Sequence, residues 1–383
     1  MTTAMLGRLV IEGLGSVRRL NLEIMTDVTV LIGANGSGKS NVIGALELIS
    51  RIWDDSFQQQ ILNRGGMDGL IFEGVDGRAP VSRIEVHSTP DRENHTNGYR
   101  VDLSPADDDR AMLREWFFHD DRQMGVRFHD EGSGQVAATS SRARQVAEGS
   151  EDERQRNFAR HITPLLAGCR VFHFDDVSAD APVKGWSTVG DDVALRADAG
   201  NIAAYLLRVK QEHPQHYRRI VAAVQHVTPF FDDFVLEPNA TDRIRLRWRQ
   251  QGLDRTFMAR EASDGTLRFI CLATLLLGPD LPSTVVLDEP ELGLHPAAIT
   301  VLAEMVHIAG RTGHRVVLAT QSVPLLSHFD LAEVVVLERR NGATVATRPN
   351  PEELAGFLED FSVGNMWEMN LLGGRPSPEE GRR

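Results

Sequence analysis

Apolar and polar residues alternate along short segments of the first hundred positions, and this period of two predicts β-strands. The predicted strands are Leu9–Ile11, Leu20–Ile24, Val28–Ile32, Ile84–Val86 and Tyr99–Leu103. A polar stretch from Ser104 to Gln155 follows, and the acidic run Asp107–Asp109 and a Gly-Ser-Gly turn interrupt it. Because such residues favour turns and loops, we expect an irregular insertion or lid there rather than core.

Helical and buried-strand patterns dominate the rest of the chain. We expect a helix over Asp152–Leu166, a strand at Arg170–Phe174, two helices within Leu195–Val227, an apolar helix over Leu267–Leu277, and strands at Thr284–Glu289 and Val316–Ala319. The two helices should break near Pro214, because proline lacks an amide hydrogen. Apolar positions do not follow heptad spacing over several repeats, so the pattern predicts no long coiled coil.

The segment GANGSGKS, residues 33–40, lies between an apolar strand and a helix-like stretch, Asn41–Ile49. It has the pattern of a phosphate-binding P-loop, in which glycines allow backbone N–H groups to face nucleotide phosphates. We expect Lys39 to reach the β- and γ-phosphates and the Ser40 hydroxyl to bind Mg²⁺. The expected nucleotide-binding residues of this loop are Gly33, Ala34, Asn35, Gly36, Ser37, Gly38, Lys39, Ser40 and Asn41.

A second part of the nucleotide site is indicated by the strand TVVLDE, which ends in two carboxylates. This is the form of a Walker B element. Asp288 is expected to hold a Mg²⁺-bound water opposite Ser40. Glu289 is expected to accept a proton from the water that attacks the γ-phosphate.

The turn Ser263-Asp264-Gly265 precedes the predicted apolar helix over Leu267–Leu277. Serine and glycine at a helix N-terminus can form an anion-binding nest, although such a turn taken alone is most often a helix cap. One chain does not need two nests for one γ-phosphate, but a head-to-tail dimer does. Ser263 and Gly265 are therefore candidates for contacting the nucleotide held by a second subunit.

The composition is that of a globular protein with a substantial core: 383 residues, 42% hydrophobic and 25% charged. No segment approaches the roughly 18 to 20 apolar residues of a membrane span, and the N-terminus lacks the pattern of a secretion signal, so we expect a cytoplasmic protein with no membrane contact. The two cysteines, Cys169 and Cys271, lie in apolar surroundings and belong to no metal-binding pattern. The net charge of −13 opposes non-specific attraction to nucleic acid.

One local exception to the acidic balance is RIRLRWR, residues 243–249. As a single strand, this segment would place four arginines on one face and apolar side chains on the other. The four arginines are Arg243, Arg245, Arg247 and Arg249. They could follow a nucleic-acid backbone or bind an acidic partner, or they could form the solvated face of an edge strand.

With these elements in this order, the chain resembles the ABC-type ATPase heads of the SMC, RecF and OLD-like group, and especially the stand-alone bacterial ATPases often labelled AAA. The residues that carry the resemblance are the signature-like segment 263–269, the joined Walker B and D-loop 287–296, the motif 64–66, the strand end 172–176 and the segment 370–376. The resemblance implies an α/β fold: a P-loop ATPase head with a mixed sheet, flanking helices and no long coiled coil. It also implies ATP and Mg²⁺ as cofactors and a homodimer around ATP. We expect an N-terminal ATPase lobe over 1–103, an inserted lid or helical region over 104–230, and a C-terminal ATPase lobe over 231–383.

The chain departs from the family's transporter relatives at two positions. The signature is SDGT rather than LSGGQ, and Gln321 stands where those relatives have a switch histidine. Gln321 could orient water or hydrogen-bond a γ-phosphate without carrying charge, which is consistent with slow or partner-stimulated hydrolysis, or it could merely cap the strand. We therefore expect Lys39, Glu289 and Gln321 to be the catalytic residues. The Q-loop glutamine has no clear position, and Gln58, Gln59 and Gln60 are candidates only by proximity.

The resemblance leaves three classes of function open. We favour an ATPase switch or sensor for a separately encoded effector, nuclease-like, in bacterial antiphage defence. The chain after Arg340 is too short for the Toprim nuclease that OLD proteins carry, so we expect the nuclease on another chain. The alternative is a RecF- or SMC-like ATPase that binds DNA. A transporter ATPase subunit fits less well, because the signature and the switch residue differ.

Overall fold

The computed structural model describes residues 4–374 apart from 55, 76, 92–93, 122–125, 132–135, 138–140, 142, 144–148 and 150–152. The strands are β1 (Leu6–Leu14), β2 (Val17–Glu23), β3 (Val28–Ile32), β4 (Glu73–Gly74), β5 (Gly77–Arg78), β6 (Ser82–Ser88), β7 (His95–Pro105), β8 (Ala111–Asp121), β9 (Val126–Glu131), β10 (Val136–Ala137), β11 (Cys169–Phe172), β12 (Ser187–Thr188), β13 (Phe231–Phe234), β14 (Arg243–Ile244), β15 (Arg247–Gln250), β16 (Thr256–Met258), β17 (Thr284–Asp288), β18 (Arg315–Thr320), β19 (Val334–Arg340) and β20 (Ala343–Thr347). The helices are α1 (Lys39–Trp53), α2 (Phe57–Asn63), α3 (Gly66–Leu70), α4 (Glu153–Gly168), α5 (Ile202–Glu212), α6 (Pro214–Val227), α7 (Asp264–Leu277), α8 (Pro296–Arg311), α9 (Val323–Leu326), α10 (Pro351–Leu358) and α11 (Val363–Glu368).

Two large sheets organise the chain. The first is antiparallel, in the order β10-β8-β7-β6-β1-β2, with β9 paired to β8. The second has the order β11-β17-β18-β3-β19-β20 and is parallel except for the last pair. One hydrophobic core lies between the first sheet, α1 and one face of the second sheet, and another lies between the opposite face and helices α5 to α9. The inner strands of the second sheet are therefore buried on both faces, which explains their uninterrupted apolar runs.

The parallel arrangement brings distant parts of the sequence to one edge. Strands β3, β17 and β18 run in the same direction as neighbours, with Leu287 opposite Leu318 and Leu318 opposite Val30. Their carboxyl ends therefore lie side by side, and the loops after them meet. Ligands bind at this edge in open α/β sheets, so the fold assembles the predicted nucleotide motifs there.

The prediction of an irregular stretch over 104–155 is wrong for much of the described part. The acidic run Asp107–Asp109 is a short turn between β7 and β8, and β8 continues the first sheet. Ala111, Leu113 and Phe117 lie on its buried face. The prediction failed because polar residues stand between these apolar positions, although such alternation is typical of a strand with one buried face. The three-part domain division stays a prediction.

The two helices expected within Leu195–Val227 are confirmed, and the break falls at Pro214. The first helix begins only at Ile202. The side chain of Asn201 donates to the carbonyls of Asp191 and Ala194, at 2.9 and 2.8 Å, and so stabilises the loop before the helix. The structure describes no helix long and apolar enough to cross a membrane. Its longest helices, α4 and α8, have 16 residues each, too short for an extended coiled-coil arm.

The single strand expected at 243–249 is wrong. The segment divides into β14, which pairs with β12, and β15, which pairs with β13 and β16, so it belongs to two small sheets. The alternation of burial nevertheless holds, because Ile244, Leu246 and Trp248 are buried in the core beside α6 and α7.

Candidate nucleotide site

The P-loop lies between β3 and α1 and has a shape that only glycine allows at two positions. Gly38 has a φ of +104°, and a Cβ there would lie 2.0 Å from Thr344 Oγ1. A Cβ on Gly33 would lie 2.2 Å from the carbonyl oxygen of Leu337. Strands β19 and β20 therefore both close against the loop, and the first N–H groups of α1 remain directed at its concave side.

Lys39 is buried and curls back over its own loop. Its Nζ donates to the carbonyl oxygens of Gly33 and Ala34, at 2.6 and 3.2 Å. Burial lowers the pKa of this ammonium, and the nearby carboxylates of Glu289 and Asp288 act in the opposite direction. The lysine is thus held beside the acidic cluster, in the position that the sequence predicts for a phosphate ligand.

The other polar residues of the loop divide into exposed and structural ones. Ser40 and Asn35 are exposed, whereas Ser37 is buried, and its Oγ finds no hydrogen-bond partner in the described residues. The side chain of Asn41 donates to Ser16 Oγ at 2.7 Å, and Ser16 Oγ lies 2.6 Å from Thr344 Oγ1. In this structure Asn41 ties α1 to the β1–β2 turn, and its predicted role in nucleotide binding stays a prediction.

Asp288 ends β17 directly opposite Ala319 of β18, and Glu289 follows in an unusual backbone conformation. Burial raises the pKa of the Asp288 carboxyl, and the charge of Glu289 raises it further, whereas His173 and Lys39 oppose the shift. Glu289 has a φ of +43°, a strained conformation for a residue with a side chain, and its N–H donates to the carbonyl of Ala319 at 2.8 Å. This backbone conformation directs the glutamate toward the loop after β18.

Gln321 lies in that loop and contacts the expected catalytic base. Its Nε2 donates to Glu289 Oε1 at 2.5 Å. The sequence suggested a switch residue at this position, but it could not show that the amide binds the glutamate. The structure therefore places Gln321 where it can orient the carboxylate that the site needs.

Two further residues of this cluster escaped the sequence analysis. Thr320 donates its hydroxyl to Glu291 Oε1 and accepts from the N–H of Ser322 at 2.9 Å. Burial raises the pKa of the Glu291 carboxyl, and its Oε2 has no partner in the described residues. The only signal in the sequence was the position of Glu291 inside the Walker B and D-loop segment. The hydrogen bond between Thr320 and Glu291 thus connects the end of β18 to the loop after β17, next to Gln321 and Glu289.

The signature turn caps α7 and packs on the D-loop of the same chain. Ser263 is exposed, and its Oγ accepts from the N–H of Thr266 at 3.2 Å. A Cβ on Gly265 would lie 2.3 Å from the carbonyl oxygen of Gly293, so glycine is required at this contact. The helix cap, one of the two roles that the sequence left open, is present, and contact with a second subunit's nucleotide stays a prediction.

Arg268 of α7 holds the signature turn in place against the neighbouring loops. It is buried, and its guanidinium donates to three carbonyl oxygens: Phe174 at 2.8 Å, Asp175 at 3.1 Å, and Leu292. The first two follow β11, and Leu292 lies in the D-loop. Because the planar guanidinium can donate several hydrogen bonds at once, one side chain joins the signature helix to both loops.

An ion cluster around the buried Glu47 lies beside the site on α1. Glu47 accepts from Arg64 at 2.7 Å and lies 3.6 Å from His173. Burial alone would raise the pKa of Glu47, but its contact with His173 and the charges of Arg64 and Arg51 outweigh it, and the pKa is about 2. The contact with Glu47 raises the pKa of His173. The motif 64–66 and the strand end 172–176 both carry the family resemblance. They meet at the carboxylate of Glu47, which Arg64 and His173 both contact.

The glutamines proposed for a Q-loop have other contacts. The amide of Gln58 donates to the carbonyl of Ala111 at 2.8 Å and accepts from its N–H at 3.1 Å, so it holds α2 to β8. Gln59 donates to Asn63 at 2.9 Å. His295 caps α8 by accepting from the N–H of Ala297 at 3.3 Å.

Of the four arginines of segment 243–249, Arg243 and Arg249 are exposed and Arg245 and Arg247 are half-buried, with Arg245 lying over the ring of Trp186, and two of the four are paired with acids. Arg247 lies 3.5 Å from the carboxylate of Glu237, and Arg249 lies 3.4 Å from that of Asp232. The continuous stripe expected from the sequence is therefore interrupted both by the division of the strand and by local ion pairs. Contact with nucleic acid or a partner stays a prediction.

Comparison with known proteins places these motifs in a family. Residues 28–327 match the family model described as "AAA domain, putative AbiEii toxin, Type IV TA system". The chain belongs to this AAA family. Among curated proteins, a segment of 89 residues is 39% identical to the chromosome partition protein Smc of Mycolicibacterium paratuberculosis, and 78 residues are 36% identical to Smc of Bacillus subtilis. These segments are 23% and 20% of this chain but only 7% and 6% of the two Smc proteins.

Solved structures show the same fold over most of the AAA-family chain. An Smc head bound to the C-winged helix domain of ScpA aligns with a TM-score of 0.60 at 13% identity, covering 92% of this chain and 99% of that one. The Smc head with a coiled coil and joint from Pyrococcus yayanosii aligns with a TM-score of 0.55 at 12% identity, covering 93% and 99%. The fold is that of an SMC-type P-loop ATPase head, and the resemblance drawn from the sequence is confirmed.

Proposed function

We propose that this protein binds and hydrolyses ATP with Mg²⁺, dimerises around the nucleotide, and acts as a switch for a separate effector. The observation that supports this most directly is the hydrogen bond between Gln321 and Glu289 at the strand edge that also carries Lys39 and Asp288. Four groups suited to phosphate binding, metal binding, proton acceptance and water orientation therefore lie within one cluster.

The residues of this cluster fit a magnesium nucleotide. The glycine-shaped loop leaves N–H groups for phosphate oxygens, and Lys39 needs only to exchange its loop carbonyls for phosphate. Ser40 and Asp288 would hold Mg²⁺, which supplies charge neutralisation at the transferring phosphoryl group. Glu289 would accept the proton of the attacking water, and Gln321 would keep its carboxylate oriented.

Dimerisation is supported by the surface position of the signature turn. Ser263 is exposed, and its neighbour Gly265 packs on the D-loop rather than on the P-loop of the same chain. In the SMC-like group, a signature turn completes the site of the opposite subunit. We therefore propose that Ser263 and Gly265 of one chain close on the nucleotide held by Lys39 of the other.

The biological role that we propose follows the family. Its description names a toxin and a type IV toxin–antitoxin system. A head that opens and closes with ATP could control a toxic effector on another chain, such as a nuclease, in antiphage defence. The ATP cycle of the head does not depend on which effector it controls, so the two parts of the proposal are tested separately.

The first experiment is light scattering coupled to size exclusion on the Glu289→Gln protein, with and without Mg-ATP, at two salt concentrations. The variant should be monomeric alone and dimeric with ATP, because it retains binding but lacks the base. Lys39→Ala is the matched control and should stay monomeric under all conditions. A mass that does not depend on ATP would contradict the nucleotide-closed dimer.

The second candidate function is that of a DNA-binding ATPase. The arginines of segment 243–249 and the similarity to Smc proteins favour it. Here DNA affinity should fall steeply with salt, and Arg245→Glu and Arg247→Glu should each remove most of it. If the wild-type protein binds no duplex at low salt, this candidate is excluded.

A further inference from the structure

The segment after β20 carries exposed apolar residues at the end of helix α10, in the turn that follows it and just after helix α11. Helix α10 buries none of its residues, and Phe357, Phe361 and Met369 are 42%, 40% and 45% exposed. We call the surface formed by Phe357, Leu358, Phe361 and Met369 the C-terminal patch. Single exposed apolar residues are ordinary, but a group within thirteen positions of one segment is typical of an interaction surface.

The charged residues of the segment that carries the C-terminal patch are of one sign. From Pro349 to Gly374 the chain has no lysine, arginine or histidine. Its carboxylates in the same span are all exposed: Glu352, Glu353, Glu359, Asp360 and Glu368. An acidic rim repels nucleic acid, anionic lipid and a second copy of this chain, whose net charge is −13. It is complementary to a protein that presents basic side chains around apolar ones.

Helix α11, which precedes the last residue of the patch, packs against α9, the helix that follows the loop after β18. A Cβ on Gly364 would lie 2.2 Å from Ser327 Oγ and 2.4 Å from the carbonyl of Val323, so α11 and α9 are in backbone contact. The hydroxyls of Ser327 and Ser362 lie 3.0 Å apart across the same contact. Since α9 begins at Val323, two residues after Gln321, a shift of the switch loop displaces α11.

The other end of the segment touches the P-loop. The N–H of Ala34 donates to the carbonyl of Gly374 at 3.2 Å. Gly374 has a φ of +82° and packs on Val336, where a Cβ would lie 2.6 Å from a methyl group. The indole nitrogen of Trp367 is buried close to the same glycine and has no hydrogen-bond partner in the described residues. The segment is therefore attached to both loops that would surround a γ-phosphate.

We propose that the C-terminal patch is the docking surface for a separate protein partner that presents basic and apolar side chains, and that docking is coupled to the nucleotide state. The proposal rests on the proposed function, since it names where the effector of that switch binds and couples docking to the nucleotide of the same site. The partner covers the apolar patch, its basic residues face the acidic rim, and the contacts through Gly364 and Gly374 transmit the state of the site.

The first test is site-specific photocrosslinking in cells that carry the native gene. Benzoylphenylalanine replaces Phe361 in one strain and Leu253 in the control strain. Leu253 is also exposed, at 51%, but lies in the turn between β15 and β16. We expect a specific adduct with another protein from position 361 only. An adduct with a second copy of this chain, or none, would overturn the proposal.

The captured protein is then purified, and its affinity is measured by calorimetry. Phe361→Glu and the double change Glu359→Lys with Asp360→Lys should each weaken binding at least tenfold, whereas Leu253→Glu should leave it within twofold. Raising NaCl from about 50 to 300 mM should weaken wild-type binding severalfold, because the rim charges are exposed. Unchanged affinity in Phe361→Glu would overturn the assignment of the surface.

Coupling is measured with the same partner and the Glu289→Gln protein, with and without Mg-ATP. We expect the two affinities to differ at least fivefold, and equal affinities would overturn the coupling. The ATP-dependent mass of the same preparation is recorded in parallel. If the mass does not change but docking at the patch is intact, the nucleotide-closed dimer fails while the docking surface stands.

Discussion

Gln321 donates a hydrogen bond of 2.5 Å to Glu289, and this contact joins the loop after β18 to the residue that follows β17. The backbone of Glu289 is also held by β18, since its N–H donates to the carbonyl of Ala319. The proposed base is thus oriented by the strand beside it. We therefore propose that Gln321 positions Glu289, a role that a strand-end cap would not have.

We expect Gln321→Ala to lower kcat for ATP hydrolysis about tenfold or more with little change in KM, because it removes orientation of Glu289 rather than nucleotide contacts. Gln321→Glu should be worse, since it places a second negative charge against Glu289. Steady-state phosphate release over a range of ATP concentrations measures both constants. An unchanged kcat in Gln321→Ala would leave the residue as a cap only.

Thr320→Val should destabilise the fold by about 1 to 3 kcal/mol, because it leaves the buried Glu291 without its hydroxyl donor. Thr320→Ser retains the hydroxyl and serves as the matched control. Urea unfolding monitored by circular dichroism measures both. Equal stability of Thr320→Val and wild type would show that the Glu291 contact contributes nothing to folding.

Arg268→Lys should weaken ATP-dependent dimerisation while leaving ATP affinity of the monomer within about twofold. Lysine keeps the charge, but it cannot donate in the fixed planar geometry that holds the carbonyls of Phe174, Asp175 and Leu292 together. Dimerisation is measured in the Glu289→Gln background by light scattering, and ATP affinity by fluorescent-nucleotide binding. If dimerisation and ATP affinity fall by the same factor, Arg268 supports the P-loop rather than the dimer surface.

Glu47→Gln should be less stable than wild type near neutral pH and similar to it in acid. The pKa of Glu47 is lowered from 4.5 to about 2 in the folded state, so its stabilisation is present above pH 4.5 and is lost as the pH falls toward 2. A shift of this size corresponds to about 3 kcal/mol at pH 7. Denaturant unfolding of both proteins at pH 7 and at the lowest pH where the wild type folds gives the difference. A gap that does not shrink in acid would contradict an electrostatic origin.

Motifs whose function depends on local backbone conformation could be predicted from the sequence. The P-loop needs glycines, a lysine and a serine at fixed spacing, and the structure shows why, since side chains at 33 and 38 would collide with Leu337 and Thr344. The break at Pro214 follows equally from local chemistry. Strand β8 was not predicted, because polar residues stand between its apolar positions. Its pairing with β7 decides that it is a strand, and the sequence of the segment alone does not show that pairing.

The sequence by itself determined that β3, β17 and β18 are buried strands and that carboxylates and a glutamine follow two of them, because apolar runs and their polar ends are properties of single segments. Only the tertiary structure decided their partners. Parallel pairing of strands far apart in the chain brings Gln321 against Glu289. Arg268 reaches two loops, the one after β11 and the D-loop, because the helix that carries it packs against them. Contacts of that kind depend on which surfaces meet after folding, and no local pattern of residues specifies them.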